Sequence, residues 1–227
     1  NGWKRPIYFT AISGAERVIG LSDYMQLEGL AYRFVPVKNN GPGSRKLSKS
    51  IMYDHIMNDF KWSGMKEKEN FFVDEKASYV PHSMRQSMNE LARLYTMDYL
   101  QSVQDSKKTP DKEAQQRAIT LLDKSLTEIP EAVLPFSRPE VKMNYGVTYI
   151  ELDQIEKGTK ILKEVSNYLV RHAKYYKSQR GSKKDYWEQA LKPYYGQVMG
   201  EILRIASTKG LKDLESQLKV DQAEINK

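Results

Sequence analysis

The feature that most constrains the fold is a change of hydrophobic period at Pro81. Downstream of it Met84, Met88, Leu91, Ala92, Tyr95 and Tyr99 recur at the spacing of a single helix face. The polar run from Gln104 to Thr109 predicts a loop, and Pro110 suits the first turn of a following helix, where its missing N–H costs nothing. That helix runs to about Ile129 and is stopped by Pro130. A second pair is predicted at 139–152 and 155–178, with a turn at Asp153-Gln154 and a break at Gly181-Ser182. Residues 184–207 carry one more apolar stripe, Trp187, Leu191, Tyr194, Val198, Ile202 and Ile205, in which Pro193 should kink or split the helix. A last helix is held by Leu211, Leu214 and Leu218.

Upstream of Pro81 the pattern is mixed. Residues 5–12, with Ile7, Tyr8, Phe9 and Thr10, are of strand type, and Pro6 sits at the edge where a donor can be missing. Asp23 can cap a short helix with Gln26 three residues on and Gly29 at its stop. Tyr32 to Val37 reads as a second strand, which should pair with the first because a lone strand leaves its backbone groups unsatisfied. Asn39 to Ser44 is a turn-rich loop followed by Arg45, Lys46 and Lys49, but it lacks the GxxxxGK[ST] spacing of a phosphate-cradling loop. A helix then starts at Ser48 or Ser50, carries Met52, Ile56 and Phe60 on one face, and ends near Trp62-Ser63-Gly64. The expected organisation is an α/β entry segment with two short strands over 1–80, followed by a helical domain over 81–227.

The two helix pairs repeat a pattern. Ala118, Leu122, Ser125 and Pro130 fall where a tetratricopeptide repeat (TPR) places a small, a large, a small residue and a closing proline, and Gly158 and Leu162 reproduce the first two. The offset of 40 residues (158 − 118) exceeds the TPR period of about 34. In the first helices, Leu91, Ala92 and Tyr95 are spaced as Tyr145, Gly146 and Tyr149 are. Small residues let paired helices approach, which predicts Ala118 opposite the helix near Ala92 and Gly158 opposite the helix near Gly146. Val165 and Val170 depart from the pattern, so accidental spacing in unrelated antiparallel helices is the competing reading. The fold class expected is mainly α, a TPR-like stack with a small α/β segment.

Composition narrows the function. The net charge of +7 comes from 36 Lys+Arg against 29 Asp+Glu, and no nucleic-acid motif accompanies it, so nucleic acid is not an expected partner. With no cysteine there is neither a disulfide nor a thiolate metal site. No apolar run is long enough to span a bilayer. The chain opens on Asn1-Gly2-Trp3 rather than Met, as a cut inside a longer protein would.

His55, His82 and His172 have no metal-ligand spacing, no cofactor motif is present, and no GxSxG or paired-carboxylate pattern stands out. Asp54, His55 and Asp59 could gather at a helix end, but a structural or surface role is the plainer reading. Two surfaces qualify as binding sites. In a TPR register Gln86, Asn89, Arg93 and Asn144 point into the inner groove, where polar side chains can hold an extended peptide. From Tyr168 to Lys184 there is no acidic residue, and Arg171, Lys174, Tyr175, Lys177 and Arg180 form a stripe suited to phosphate or anionic head groups. For each the competing reading is a solvated helix face, and cations near a helix C-terminus also suit its dipole.

Trp3 to Phe9, Leu27 to Pro36, and Met52-Tyr53-Asp54 with Phe60-Lys61-Trp62 resemble the soluble C-terminal part of large bacterial multi-pass membrane proteins of unknown function. The membrane halves of those proteins are similar to GT-C, protein O-mannosyltransferase-type glycosyltransferases. The resemblance implies an extracytoplasmic (periplasmic) location, attachment to a membrane through a preceding region, and catalytic acids that lie outside this chain. The function expected is a non-catalytic interaction or scaffolding domain that holds an acceptor polypeptide. The alternative is a carbohydrate- or glycan-binding module, motivated by the 15 tyrosines.

Overall fold

The computed structural model describes residues 4–10, 20–38, 46–62, 64–67, 72–105, 107 and 109–226. The chain divides after Pro135 into two compact units, and each is taken by itself. The change of period at Pro81 therefore marks a change of element type inside the first unit.

The first unit begins with a small sheet of β1 (Tyr8–Thr10), β2 (Met25–Leu27), β3 (Ala31–Phe34) and β4 (Lys46–Leu47), in the order β1-β3-β2-β4. The expected pairing of the first and second strand segments is present, antiparallel, with Tyr8 opposite Arg33 and Thr10 opposite Ala31. The short helix expected from Asp23 is not. Ser22–Tyr24 makes one 3-10 turn and the chain then extends into β2, which pairs antiparallel with β3 and parallel with β4. Alternation explains the difference: Met25 and Leu27 both point inward and are buried, whereas a helix would turn them to different faces. Gly29, at φ +111°, turns the β2–β3 hairpin rather than ending a helix, and an added Cβ there would lie 2.6 Å from the Phe60 ring. Beside it Glu28 is buried, accepting hydrogen bonds from the Tyr8 hydroxyl (3.2 Å) and Gln26 Nε2 (3.1 Å), with Arg33 at 3.7 Å. The Asn39–Ser44 loop lies outside the described residues.

Helix α1 (Lys49–Asp54) continues into a π turn, His55–Asp59, and buries Met52 and Ile56 completely, as their spacing predicts. Ser48 stands at its N-cap without a side-chain capping bond. Helix α2 (Tyr79–Gln104) starts two residues before Pro81, which falls in the first turn where a proline is tolerated. It packs along α3 (Lys112–Glu128) as a hairpin. Asp111 caps α3 by accepting the Ala114 N–H at 2.9 Å, and its own N–H is received by Ser102 Oγ at 2.7 Å. Ala92 and Ala118 are both fully buried.

Where α3 ends, Arg85 of α2 enters the core, only 2% exposed. Its guanidinium donates to the carbonyls of Ile129 (2.8 Å), Leu134 (2.8 Å) and Pro135 (3.3 Å). The C-terminal carbonyls that a helix leaves open, and the turn behind Pro130, are thus received by one planar, permanently charged donor.

The second unit is helical: α4 (Pro139–Glu151), α5 (Ile155–Lys177), α6 (Ser182–Tyr186), α7 (Lys192–Thr208) and α8 (Lys212–Asn226). Asp153, at φ 63°, makes the tight turn between α4 and α5. At their crossing Gly146 and Gly158 bring backbone against backbone. A Cβ on Gly158 would lie 2.5 Å from the Gly146 carbonyl oxygen and 2.5 Å from Ile150 Cγ1, so the expected facing of these two residues holds. Pro193 falls in the first turn of α7, directly after a π turn at Trp187–Leu191, and the chain stays helical through both, so the irregularity expected here is a π turn and not a split. The core gathers Met143, Leu162, Leu169, Trp187, Met199 and Ile202. Burying a side chain of this size contributes about 1.5–3 kcal/mol. Helix α8 is tied to α5 by Ser166 Oγ donating to Asp221 (2.6 Å) and by Lys177 donating to the Glu224 carbonyl.

Candidate functional site

In the first unit the chain leaves the π turn at Phe60, passes Lys61 and Trp62, and makes a 3-10 turn at Met65–Glu67 before reaching α2. Those segments, with Leu30 from the β2–β3 hairpin and Val73, Ala77, Val80, Pro81 and Met84 around the start of α2, enclose a pocket of about 370 Å³. Phe60 forms one wall because Gly29 lets it approach and because it stacks on His55, with ring centroids 6.3 Å apart. Met65 and Met84, 6% and 4% exposed, supply flexible and polarizable surface. Trp62 adds an indole whose buried Nε1–H has no hydrogen-bond partner among the described residues. The Lys124 ammonium stands 5.5 Å from the centre of its ring. The volume falls in the range of ligand pockets, and the lining is apolar with few polar groups. Its walls come from four separated segments, so no local motif announces it.

Of the residues expected to line a peptide groove, Gln86, Asn89 and Arg93 lie on α2 in the first unit. Gln86 is exposed and donates to Glu90 at 3.2 Å; Arg93 is exposed. Asn89 is 8% exposed, and its Oδ1 is buried without a hydrogen-bond partner among the described residues. Asn144 belongs to α4 of the second unit, is half-buried, and its carbonyl accepts the Thr148 hydroxyl at 2.7 Å.

The basic stripe of the second unit is the last part of α5 and the residues just after it. Arg171, Lys174 and Arg180 are exposed, and Tyr175 is 50% exposed. Lys177 is half-buried: besides its bond to Glu224 it stands 5.8 Å from the centre of the Trp187 ring. Inward of the stripe an aromatic cluster surrounds His172, which lies 4.0 Å from Tyr168 and 6.4 Å from Tyr176 and Tyr195 between ring centres. Its Nδ1 is 3.3 Å from the Tyr195 hydroxyl. Burial, helped by Arg171, lowers the His172 pKa. Burial likewise raises the Tyr194 and Tyr195 hydroxyls, Tyr194 further so by its bond to Glu140. This cluster was within reach of the sequence, because Tyr168, His172 and Tyr176 recur at four-residue spacing on one helix face.

The remaining histidines lie elsewhere. His55 Nδ1 is 2.6 Å from Asp59 on an exposed turn, and burial with Arg85 nearby lowers the His82 pKa. Among the described residues no group of three or more His, Cys, Asp or Glu is arranged to hold a metal ion, and no helix is long and apolar enough to cross a membrane.

Residues 1–55 match the family model described as TMEM260-associated domain 2. No curated protein and no solved structure matches the chain. The matched stretch contains β1 through β4 and α1, the layer that contributes Leu30 to the pocket and seats Phe60 on Gly29. It points to a TMEM260-related family for the N-terminal part of this chain.

Proposed function

We propose that this chain is a non-catalytic recognition domain, built on TPR-like helix pairs, that holds a stretch of polypeptide for a membrane-embedded, glycosyltransferase-like part of the same protein on the extracytoplasmic side. The observation that carries the reading is the Trp62 pocket. It is apolar and large enough for one or two apolar side chains. Among the described residues its neighbours supply no nucleophile with an adjacent base: Lys61 is exposed and Glu67 lies on the outer turn. Two further observations support the reading. Ala92 and Ala118 are fully buried and Gly146 and Gly158 face one another, as the small positions of a TPR-like pair would. The family match names a domain by its association with TMEM260. A pocket that keeps an acceptor segment close to a membrane-bound active site raises its effective concentration there.

Trp62 fluorescence tests the proposal in a background with Trp3 and Trp187 changed to Phe. Short peptides with a central Leu or Phe should shift its emission saturably, Ala-substituted peptides should not, and Ala77→Trp should abolish binding by filling the pocket. A shift produced by oligosaccharides and not by peptides would replace this reading with the glycan-binding one, and no response to either would overturn both. In the full-length parent, sugar transfer should fall when the domain is deleted or Ala77→Trp is introduced, and undiminished transfer would remove the acceptor-holding role.

A further inference from the structure

The end of α5 and the start of α6 form one surface with a composition unlike the rest of the second unit. Gly181, at φ +60°, turns the chain so that the first turn of α6 folds back toward the last turn of α5. Lys183 Nζ comes within 3.4 Å of the Tyr175 hydroxyl and 6.0 Å of its ring centre. Tyr175 packs edge-on against Tyr176 at 5.1 Å, and so does Tyr186 at 6.4 Å. Tyr176 is stacked on the fully buried Trp187, so both outer tyrosines are anchored to the core. They are nevertheless 50% and 54% exposed. Around them Arg171, Lys174, Arg180, Lys183 and Lys184 are all exposed, against a single carboxylate on α6, Asp185.

We infer that this surface docks on an anionic lipid bilayer, with Tyr175 and Tyr186 at head-group depth and the cations on the lipid phosphates. Tyrosine is favoured at that depth because its ring is apolar and its hydroxyl is wet. Clustered Lys and Arg are drawn to the negative surface potential. Nucleic acid would use the same charges, but it gains its stacking energy on open ring faces. Here the Tyr175 ring already has Tyr176 packed against it at 5.1 Å and the Lys183 ammonium 6.0 Å from its centre. A bilayer needs no open ring face, only a half-exposed tyrosine among the charges. The inference is independent of what occupies the Trp62 pocket.

The experiment is sedimentation of the chain with phosphatidylcholine vesicles, with and without phosphatidylglycerol. Binding should require the anionic lipid and weaken as salt rises. The triple variant Lys174→Gln, Arg180→Gln, Lys184→Gln removes three cations without touching either tyrosine, and should weaken binding by on the order of a hundredfold. The double variant Tyr175→Ala, Tyr186→Ala should weaken it severalfold at every salt concentration and leave the salt dependence unchanged. Both variants alter exposed side chains, and an unchanged thermal transition verifies that they fold. Failure to bind anionic vesicles, equal binding to neutral ones, or binding unaffected by the triple variant would overturn the inference. So would preference for a single-stranded oligonucleotide that displaces the vesicles, while competition by inorganic phosphate with no vesicle binding would reduce the surface to a phosphate site.

Discussion

The two long helix hairpins solve the same packing problem by opposite means. In the α2–α3 hairpin two small residues, Ala92 and Ala118, are fully buried and the far end is closed by a buried charge, Arg85 reaching three carbonyls beyond α3. In the α4–α5 hairpin Gly146 and Gly158 meet through their backbones, with the side chains of Ile150 and Leu162 closed over them. The first arrangement tolerates small changes of volume but depends on one polar network. The second depends on no polar group at its crossing and tolerates no added volume. A repeated pattern of small residues therefore does not imply a repeated mechanism of stabilisation.

The comparison breaks first at Arg85. Arg85→Met keeps much of the length and removes the donors, leaving buried carbonyls unpaired at about 1–3 kcal/mol each, so a loss of about 3–5 kcal/mol is expected in denaturant unfolding of the first unit. A loss under 1 kcal/mol would show that the carbonyls find other partners and that the network is dispensable. Gly158→Ala comes next. The new methyl meets backbone at 2.5 Å and must separate the helices. Overpacking of about 1–3 kcal/mol is set against about 1 kcal/mol gained in helix propensity, and contact with rigid backbone puts the net loss at the upper end, about 2 kcal/mol. The matching change in the other hairpin, Ala118→Gly, should cost about 1 kcal/mol from propensity alone, and equal effects at the two sites would erase the contrast.

Smaller again is Asp111→Ala, which removes the side-chain cap of α3 and should cost about 1 kcal/mol. Helices α4 and α5 have no side-chain cap, so the same change at Arg138 or Gln154 should be nearly silent. The smallest effect is one the units share. His82 and His172 both have pKa values lowered from 6.5 by burial, so as pH falls the unfolded chain takes up the proton first. Their contribution is complete above the unfolded pKa and is lost as pH drops from about 7 through the folded values. His82→Asn and His172→Asn should each flatten part of that decline in denaturation midpoint, and a decline unchanged in both variants would assign it to other groups.

Legibility from sequence followed locality. The second pair was readable almost to the residue, 139–152 and 155–178 against Pro139–Glu151 and Ile155–Lys177, because proline, an Asp-Gln turn and a long apolar period all act within one turn of the boundary. Strand β2 was not, since three residues carry too little alternation to outweigh a capping pattern, and its pairing with β3 decides the matter through backbone hydrogen bonds that a sequence does not display. Arg85 is invisible for a related reason: its partners are carbonyls 44 to 50 residues away, and carbonyls have no side-chain signature. The basic stripe was legible as a stripe. That Lys177 turns inward to Trp187 and Glu224, while Lys183 and Tyr186 complete the outer surface, depends on a fold-back at Gly181.

The π turn at Trp187–Leu191 has a consequence for how this chain can vary in length. A π turn holds one more residue than the α turn it replaces while sweeping about the same revolution, so this segment stores one spare residue. Removing one exposed residue, Glu188, would let the segment rewind as α with the helix on either side keeping its phase. Trp187 would keep its place between Tyr176 and Tyr195, whereas the same deletion inside α7 would swing everything before it around the axis by about 100°. The turn thus acts as a length buffer, and homologous chains one residue shorter here should keep the outer tyrosines on the same side of the helix.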